Sequence, residues 1–306
     1  MILSINPWYF CNFRCNFCYL TEGQLSDKQL LPIDVLHERL LEIIPHSSID
    51  MVDIYGGEVG LLPKSYMDQV KQLLHLYGIH DINVITNGSM INDVILDPDY
   101  YISVSFDFEA REKSDVVFKN MLLLPVPFSV LMLASPKFLE IDTDYMVNTL
   151  NLLPNLRSIE IKPYSTNQAN VYSIPYTAFE EKVKSFISHP GKKFEFVNEF
   201  LLQSVIDGTR SSFSDDHVYI TPSGKYAVLE FDENDNEYFL EYDTFEQYLE
   251  WCDIEKERVG KNAFCSQCEY FGHCLSEHLR EVTSLEHSCN GFKHLIEWYK
   301  NGRMEN

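Results

Sequence analysis

No cysteine lies between Tyr19 and Trp251. All eight fall in two groups near the ends of the 306-residue chain, Cys11, Cys15 and Cys18, then Cys252, Cys265, Cys268, Cys274 and Cys289. A disulfide framework would spread its cysteines along the chain and need an oxidising compartment, so tight clusters read as metal or Fe–S sites. No run of 18 apolar residues exists, which excludes a membrane-spanning helix. Met1-Ile2-Leu3-Ser4 lacks the basic and long apolar regions of a secretory signal, so a cytoplasmic location is expected. Positive charge is also scarce. The 24 Lys+Arg face 46 Asp+Glu, a net charge of −22. Nucleic-acid binding relies on Lys and Arg displacing counterions, so a nucleic-acid partner is disfavoured. The acidity serves solubility, or suits a cationic partner such as a basic peptide. With 13 Gly and 13 Pro, no repeat and no low-complexity stretch, collagenous and disordered readings fall away.

What is present is a strand–helix alternation. Strand patterns occur at Ile2–Ile5, Ile49–Tyr55, Ile82–Ile85, Tyr101–Asp107, 127–134 and 158–162. Helical spacing marks 33–44, where Ile33, Leu36, Leu40, Ile43 and Ile44 share one face. Further helices are expected at 64–77, 89–96, 142–152 and 176–188. Such alternation with short connections implies a mostly parallel sheet with right-handed crossovers. About six βα units suit an α/β partial (β/α)6 TIM-like barrel rather than a closed eight-unit one. In such sheets chemistry gathers at the carboxyl ends of the strands. After residue 200 the pattern changes. His217–Thr221 and Tyr226–Leu229 flank Pro222-Ser223-Gly224-Lys225, a hairpin signal, with a third strand expected near 237–241 and a helix at 244–256. Two domains are expected, 1–200 and 201–306, the second a small α+β unit of β-hairpin plus helices.

Cys11-Asn12-Phe13-Arg14-Cys15-Asn16-Phe17-Cys18 has the spacing C-x3-C-x2-C in the loop after the first strand. Three thiolates this close can hold three irons of a 4Fe–4S cube, leaving one iron open to a small chelating molecule. Structural zinc would want a fourth ligand, and none lies nearby. At the end of the second strand stands Tyr55-Gly56-Gly57-Glu58. Two glycines admit a close backbone approach, and a carboxylate complements an ammonium.

Together these motifs resemble the signature of the radical SAM superfamily. The resemblance implies that Cys11, Cys15 and Cys18 hold the cluster and that Gly56, Gly57 and Glu58 bind the amino group of S-adenosylmethionine. It places Phe17 against the adenine. Asn87, and Ser105 or Asp107, become candidates for the ribose and methionyl group. Ile161–Ser165 is expected to line the cavity. The implied chemistry is reductive cleavage of S-adenosylmethionine to methionine and a 5′-deoxyadenosyl radical, which abstracts hydrogen from a substrate. An external electron donor such as flavodoxin or ferredoxin is implied.

The second group reads C-x2-C-x5-C-x14-C over Cys265, Cys268, Cys274 and Cys289, enough ligands for a 4Fe–4S or zinc site. This pattern resembles the second auxiliary cluster of the SPASM domain, which favours Fe–S. Two SPASM cysteine positions are occupied here by His278 and Leu229. One auxiliary 4Fe–4S cluster is therefore expected, in a reduced, twitch-like domain. The base of SPASM sulfatase-maturing enzymes would correspond to Glu230. His278 could be an unusual ligand or hydrogen-bond one. Cys252, beside Trp251 in a helix, reads as a buried free thiol.

The expected substrate is a ribosomally synthesised peptide, gaining a cross-link or thioether, an epimerised residue or an excision. The alternative is a radical SAM dehydrogenase or rearrangement enzyme acting on a small molecule. No leader-binding domain is seen before Ile2, so recognition of a peptide would use the barrel surface or a separate leader-binding protein. The basic pair Lys192 and Lys193 does not decide between them.

Overall fold

The computed structural model describes residues 1–164, 174–229, 239–275, 289 and 292–304. Six parallel strands form the frame: β1 (Ile2–Ile5), β2 (Met51–Ile54), β3 (Ile82–Thr86), β4 (Tyr100–Ser105), β5 (Phe128–Leu133) and β6 (Leu156–Lys162). They lie side by side in chain order. Parallel neighbours need crossovers, and helices supply them. After the short α1 (Glu22–Ser26) come α2 (Ile33–Ile43), α3 (Lys64–Leu76), α4 (Ser114–Leu123), α5 (Pro136–Leu139) and α6 (Thr143–Leu150).

Strand alternation sorts the side chains. Leu3, Ile5, Val52, Ile54, Ile82 and Val84 are fully buried in the main core. The intervening Ser4, Asp53, Asn83 and Ser103 line a central cavity instead. In α2, Leu36, Leu40 and Ile43 supply the buried face that the helical spacing requires.

Beyond β6 lie α7 (Tyr176–Ser188), the two-residue β7 (Glu195–Phe196) and α8 (Val197–Ile206). The expected hairpin forms as β8 (His217–Ile220) and β9 (Tyr226–Leu229), followed by β10 (Phe239–Tyr242), α9 (Phe245–Gly260) and α10 (Lys293–Met304). These strands do not make a separate sheet. β8 pairs in parallel with β1, Ile2 opposite His217 and Ile5 opposite Ile220. One ten-stranded sheet results, in the order β10-β9-β8-β1-β2-β3-β4-β5-β6-β7, and it runs past the boundary expected at residue 200.

The helix expected at 89–96 is absent; those residues hold only a single turn. Asn92 Oδ1 accepts from the Val94 and Ile95 amides, each at 3.2 Å, closing a local turn, and Pro98 prevents its extension. Among the described residues, five helices that the pattern did not suggest are present, α1, α4, α5, α8 and α10. Among the described residues, no helix is long and apolar enough to cross a membrane.

Candidate functional site

A cavity of about 490 Å³ opens at the carboxyl ends of the parallel strands. Its lining includes Cys11, Cys15, Cys18, Phe17, Gly56, Gly57, Asn87 and Ser105. Eight of the residues expected to serve the cluster and S-adenosylmethionine are thus gathered at one opening.

The cysteine loop is held from several sides. The Cys11 amide donates to Leu25 O at 3.1 Å, and the Cys18 amide to Cys15 O at 3.1 Å. Asn87 Nδ2 donates to Asn12 Oδ1 at 2.9 Å and approaches Cys11 Sγ at 3.6 Å. Arg111 Nη1 lies 3.7 Å from Cys15 Sγ, and its guanidinium stands 5.2 Å from the centre of the Phe17 ring. Burial pushes the thiols of Cys11 and Cys15 up, and that of Cys18 up to about 11. Three half-buried thiols, each pushed up, ionise together at neutral pH only with cationic compensation, which bound iron would supply. Among the described residues, no three His, Cys, Asp or Glu side chains could hold a single metal ion. A cube has different needs, since each thiolate takes its own iron at its own corner. The donor set therefore fits a three-cysteine cluster.

The Gly56-Gly57-Glu58 segment departs from expectation in an informative way. A Cβ at Gly56 would meet Trp8 O at 2.5 Å, and one at Gly57 would meet Phe10 O at 2.1 Å. The glycines thus admit the protein's own backbone just before Cys11. The Gly57 amide donates to Trp8 O at 3.1 Å and the Glu58 amide to Phe10 O at 2.8 Å. Glu58 was expected to meet an ammonium with its carboxylate. That carboxylate is instead fully buried away from the cavity. Oε1 accepts from Thr86 Oγ1 at 2.5 Å and from the Gly60 amide at 2.7 Å, and Oε2 from the Asn87 amide at 2.7 Å. Burial pushes its pKa up and these donors pull it back. Glu58 ties the ends of β2 and β3 together.

Asp107 also turns away from the cavity. It is fully buried, ion-paired with Arg111 Nη2 at 2.6 Å, and accepts from the Leu133 amide. Its role is to hold Arg111, which spacing alone did not point to. An Arg four residues after a strand-end Asp was the available signal. Of the two alternatives, Ser105 is the one at the cavity. From the segment 161–165, Lys162, Pro163 and Tyr164 line it, and Ser165 lies outside the described residues.

In the second group, Cys265, Cys268, Cys274 and Cys289 are all half-buried. The Cys265 thiol is pushed up to about 11 by burial and by the proximity of Cys274, Cys289 and Cys268. Cys274, Cys289 and Cys268 thus all lie near enough to Cys265 to act on it. Glu230 and His278 lie outside the described residues. Cys252 is buried in α9, its thiol pushed up to about 12 by burial, as a free packing cysteine would be. Lys192 donates to Phe186 O and Ile187 O at the end of α7, so half of the basic pair serves as a helix cap.

Residues 5–102 match the family model described as the radical SAM superfamily. GTP 3′,8-cyclase of Staphylococcus carnosus is 31% identical over 86 residues, which is 26% of this chain and 25% of that protein. The mitochondrial GTP 3′,8-cyclase of Arabidopsis thaliana is 24% identical over 225 residues, 67% of this chain and 57% of that protein. The chain thus spans between about a quarter and somewhat over half of these relatives' length. Among solved structures, native anSMEcpe with bound AdoMet superposes with a TM-score of 0.67 at 14% identity, covering 98% of this chain and 99% of that one. Streptococcus suis SuiB bound to S-adenosylmethionine gives 0.62 at 15% identity, covering 94% and 74%. The partial-barrel fold is shared with both.

Proposed function

We propose that this chain, which carries a radical SAM domain, is an enzyme that cleaves S-adenosylmethionine reductively and removes hydrogen from a ribosomally synthesised peptide. The observation that carries the reading is the single cavity joining three cysteine thiols to the polar interior of the barrel. When bound there, the cluster and S-adenosylmethionine supply a one-electron source and an organic radical. The chain's own residues bind, orient and shield. Cys11, Cys15 and Cys18 would hold the cluster, with Arg111 offsetting their negative charge. Phe17, the backbone at Gly56 and Gly57, Asn87 and Ser105 would border S-adenosylmethionine. The barrel walls would keep water from the reacting atoms. Cys265, Cys268, Cys274 and Cys289 would hold an auxiliary cluster, and Glu230 remains the candidate base. Residues 1–200 would form the barrel unit and 201–306 the auxiliary unit. A flavodoxin or ferredoxin would deliver electrons, and a separate protein could present a leader.

Peptide substrates are supported by the net charge of −22, which suits a Lys- or Arg-bearing partner, and by the fold shared with SuiB, solved with its precursor peptide SuiA. The second reading, a small-molecule substrate, draws on the GTP 3′,8-cyclase relatives. The test is 5′-deoxyadenosine release under anaerobiosis, with and without the short peptide encoded nearest the gene. Stimulation with a mass change on the peptide is expected. Slow release indifferent to peptide transfers the assignment to a small molecule.

The cysteine groups separate in the same assay. Cys15→Ala should abolish cleavage, whereas Cys268→Ala should permit cleavage and stop product formation. Anaerobic reconstitution should load about eight irons per wild-type chain, four for each 4Fe–4S cube, and about four in either variant.

A further inference from the structure

Below the cysteine loop, the cavity continues down the barrel between two unlike walls. One wall is aromatic: Tyr19, Tyr55, Tyr219 and His217 all line it. Tyr219 stacks on His217 with ring centres 4.6 Å apart and planes 8° apart, and lies edge-on to Tyr55 at 6.2 Å. Across β1 from Tyr219, and two residues before Tyr55 along its own strand, Asp53 also lines the cavity. Register sets this placement. Ser4 is level with Tyr219 on one side and with Asp53 on the other. Two strand spacings, about 10 Å, therefore separate the Tyr219 and Asp53 backbones. The small Ser4 between them donates to, or accepts from, His217 Nε2 at 2.7 Å and leaves the space open.

Asp53 Oδ1 accepts from Asn83 Nδ2 at 2.8 Å, and Asn83 Oδ1 in turn accepts from Ser103 Oγ at 2.9 Å. This relay holds the carboxylate in place. Among the described residues, Oδ2 has no hydrogen-bond donor. Among the described residues, the other lining charges in the cavity's barrel section are Glu160 and Lys162, 3.4 Å apart, and both act electrostatically on Asp53. Two carboxylates thus share one ammonium, and one negative charge is left over. A tethered carboxylate sharing a cavity with electron-rich aromatic rings is the chemistry that recognises an organic cation.

Resting on the reading of this cavity as the substrate chamber, we propose that it selects a primary ammonium on an apolar stem, with Asp53 as counter-ion and the Tyr55–Tyr219 wall along the stem. In a peptide substrate this group is a lysine side chain or an N-terminus. An acidic or neutral group would leave Asp53 uncompensated.

The test uses reconstituted holoenzyme and three probes of equal stem: n-hexylammonium, n-hexanol and n-hexanoate, titrated by calorimetry. Hexylammonium should bind about tenfold more tightly than hexanol, with hexanoate weakest. Asp53→Asn should erase the preference for the ammonium while leaving hexanol binding as it was. Equal binding of the three, no binding, a preference for hexanoate, or an unchanged preference in Asp53→Asn overturns the inference. The wild-type series stands without the variant should Asp53→Asn fold poorly. Release of 5′-deoxyadenosine by the same preparation keeps the readings apart. Cleavage without ammonium preference removes only this inference. Ammonium preference without cleavage removes the radical reading and leaves a cation-binding barrel.

Discussion

At the residue scale, the most constrained position near the site is Gly57. A methyl group there would stand 2.1 Å from Phe10 O and 2.4 Å from Tyr9 O, and backbone cannot swing aside as a side chain can. Gly57→Ala must therefore push the segment before Cys11 outward. A loss of about 2 kcal/mol or more in urea denaturation is expected, with reduced iron loading at Cys11, Cys15 and Cys18. Asp216, just before β8, has its pKa raised to about 6, first by burial and then by neighbouring Asp215. The native state therefore binds this proton more tightly than the unfolded chain, whose value is near 4. Stability from this group is present below about pH 4 and is lost as pH rises through about 6. Asp216→Asn should melt higher than wild type at pH 7.5, with the difference closing by pH 4. Cys11, Cys15 and Cys18 could be read from spacing, because thiol chemistry is carried by residue type and short separation. The orientation of Glu58 and Asp107 could not, because a carboxylate looks the same in sequence whether it faces a ligand or the Thr86 hydroxyl.

At the element scale, the joint between α2 and the β8–β9 hairpin matters most. Gly224 has φ +79°, and a Cβ there would meet Val35 Cγ1 at 2.4 Å. Arg39 Nε donates to Gly224 O at 2.6 Å, and Tyr226 Oη to Glu42 Oε2 at 3.0 Å. The hairpin turn is thus clamped onto the helix. Gly224→Ala combines a left-handed backbone with a clash and should cost about 1–3 kcal/mol, read as a lower denaturation midpoint with an unchanged slope. Strands β1 to β6 were legible because alternation of apolar residues is a local signal, whereas the two-residue β7, parallel to β6, is too short to show it. Helix α4 was not. Its buried face rests on Val117 and Met121, and apolar residues such as Leu122 and Leu123 are exposed, which blurs the period. The expected helix at 89–96 failed for the opposite reason, since the Asn92 side chain competes for the amides that a helix would use.

At the scale of the whole molecule, β8 inserts beside β1 and makes one sheet of the two halves of the chain. The main core likewise draws on both, from Leu3 and Val52 to Tyr248 and Ile296. Shared sheet and shared core imply shared unfolding. Tryptophan fluorescence and far-UV circular dichroism should change in one coincident transition; two separated transitions would contradict this. The amino-acid sequence by itself determined the strand–helix alternation, the cysteine spacings and the charge balance, because each is written in neighbours along the chain. Only the tertiary structure decided that Asp53 and Tyr219 face one cavity, that Glu58 looks inward, and that β8 lies against β1. Those outcomes depend on register between strands more than 200 residues apart, such as Ile2 opposite His217, and local sequence holds no measure of that register.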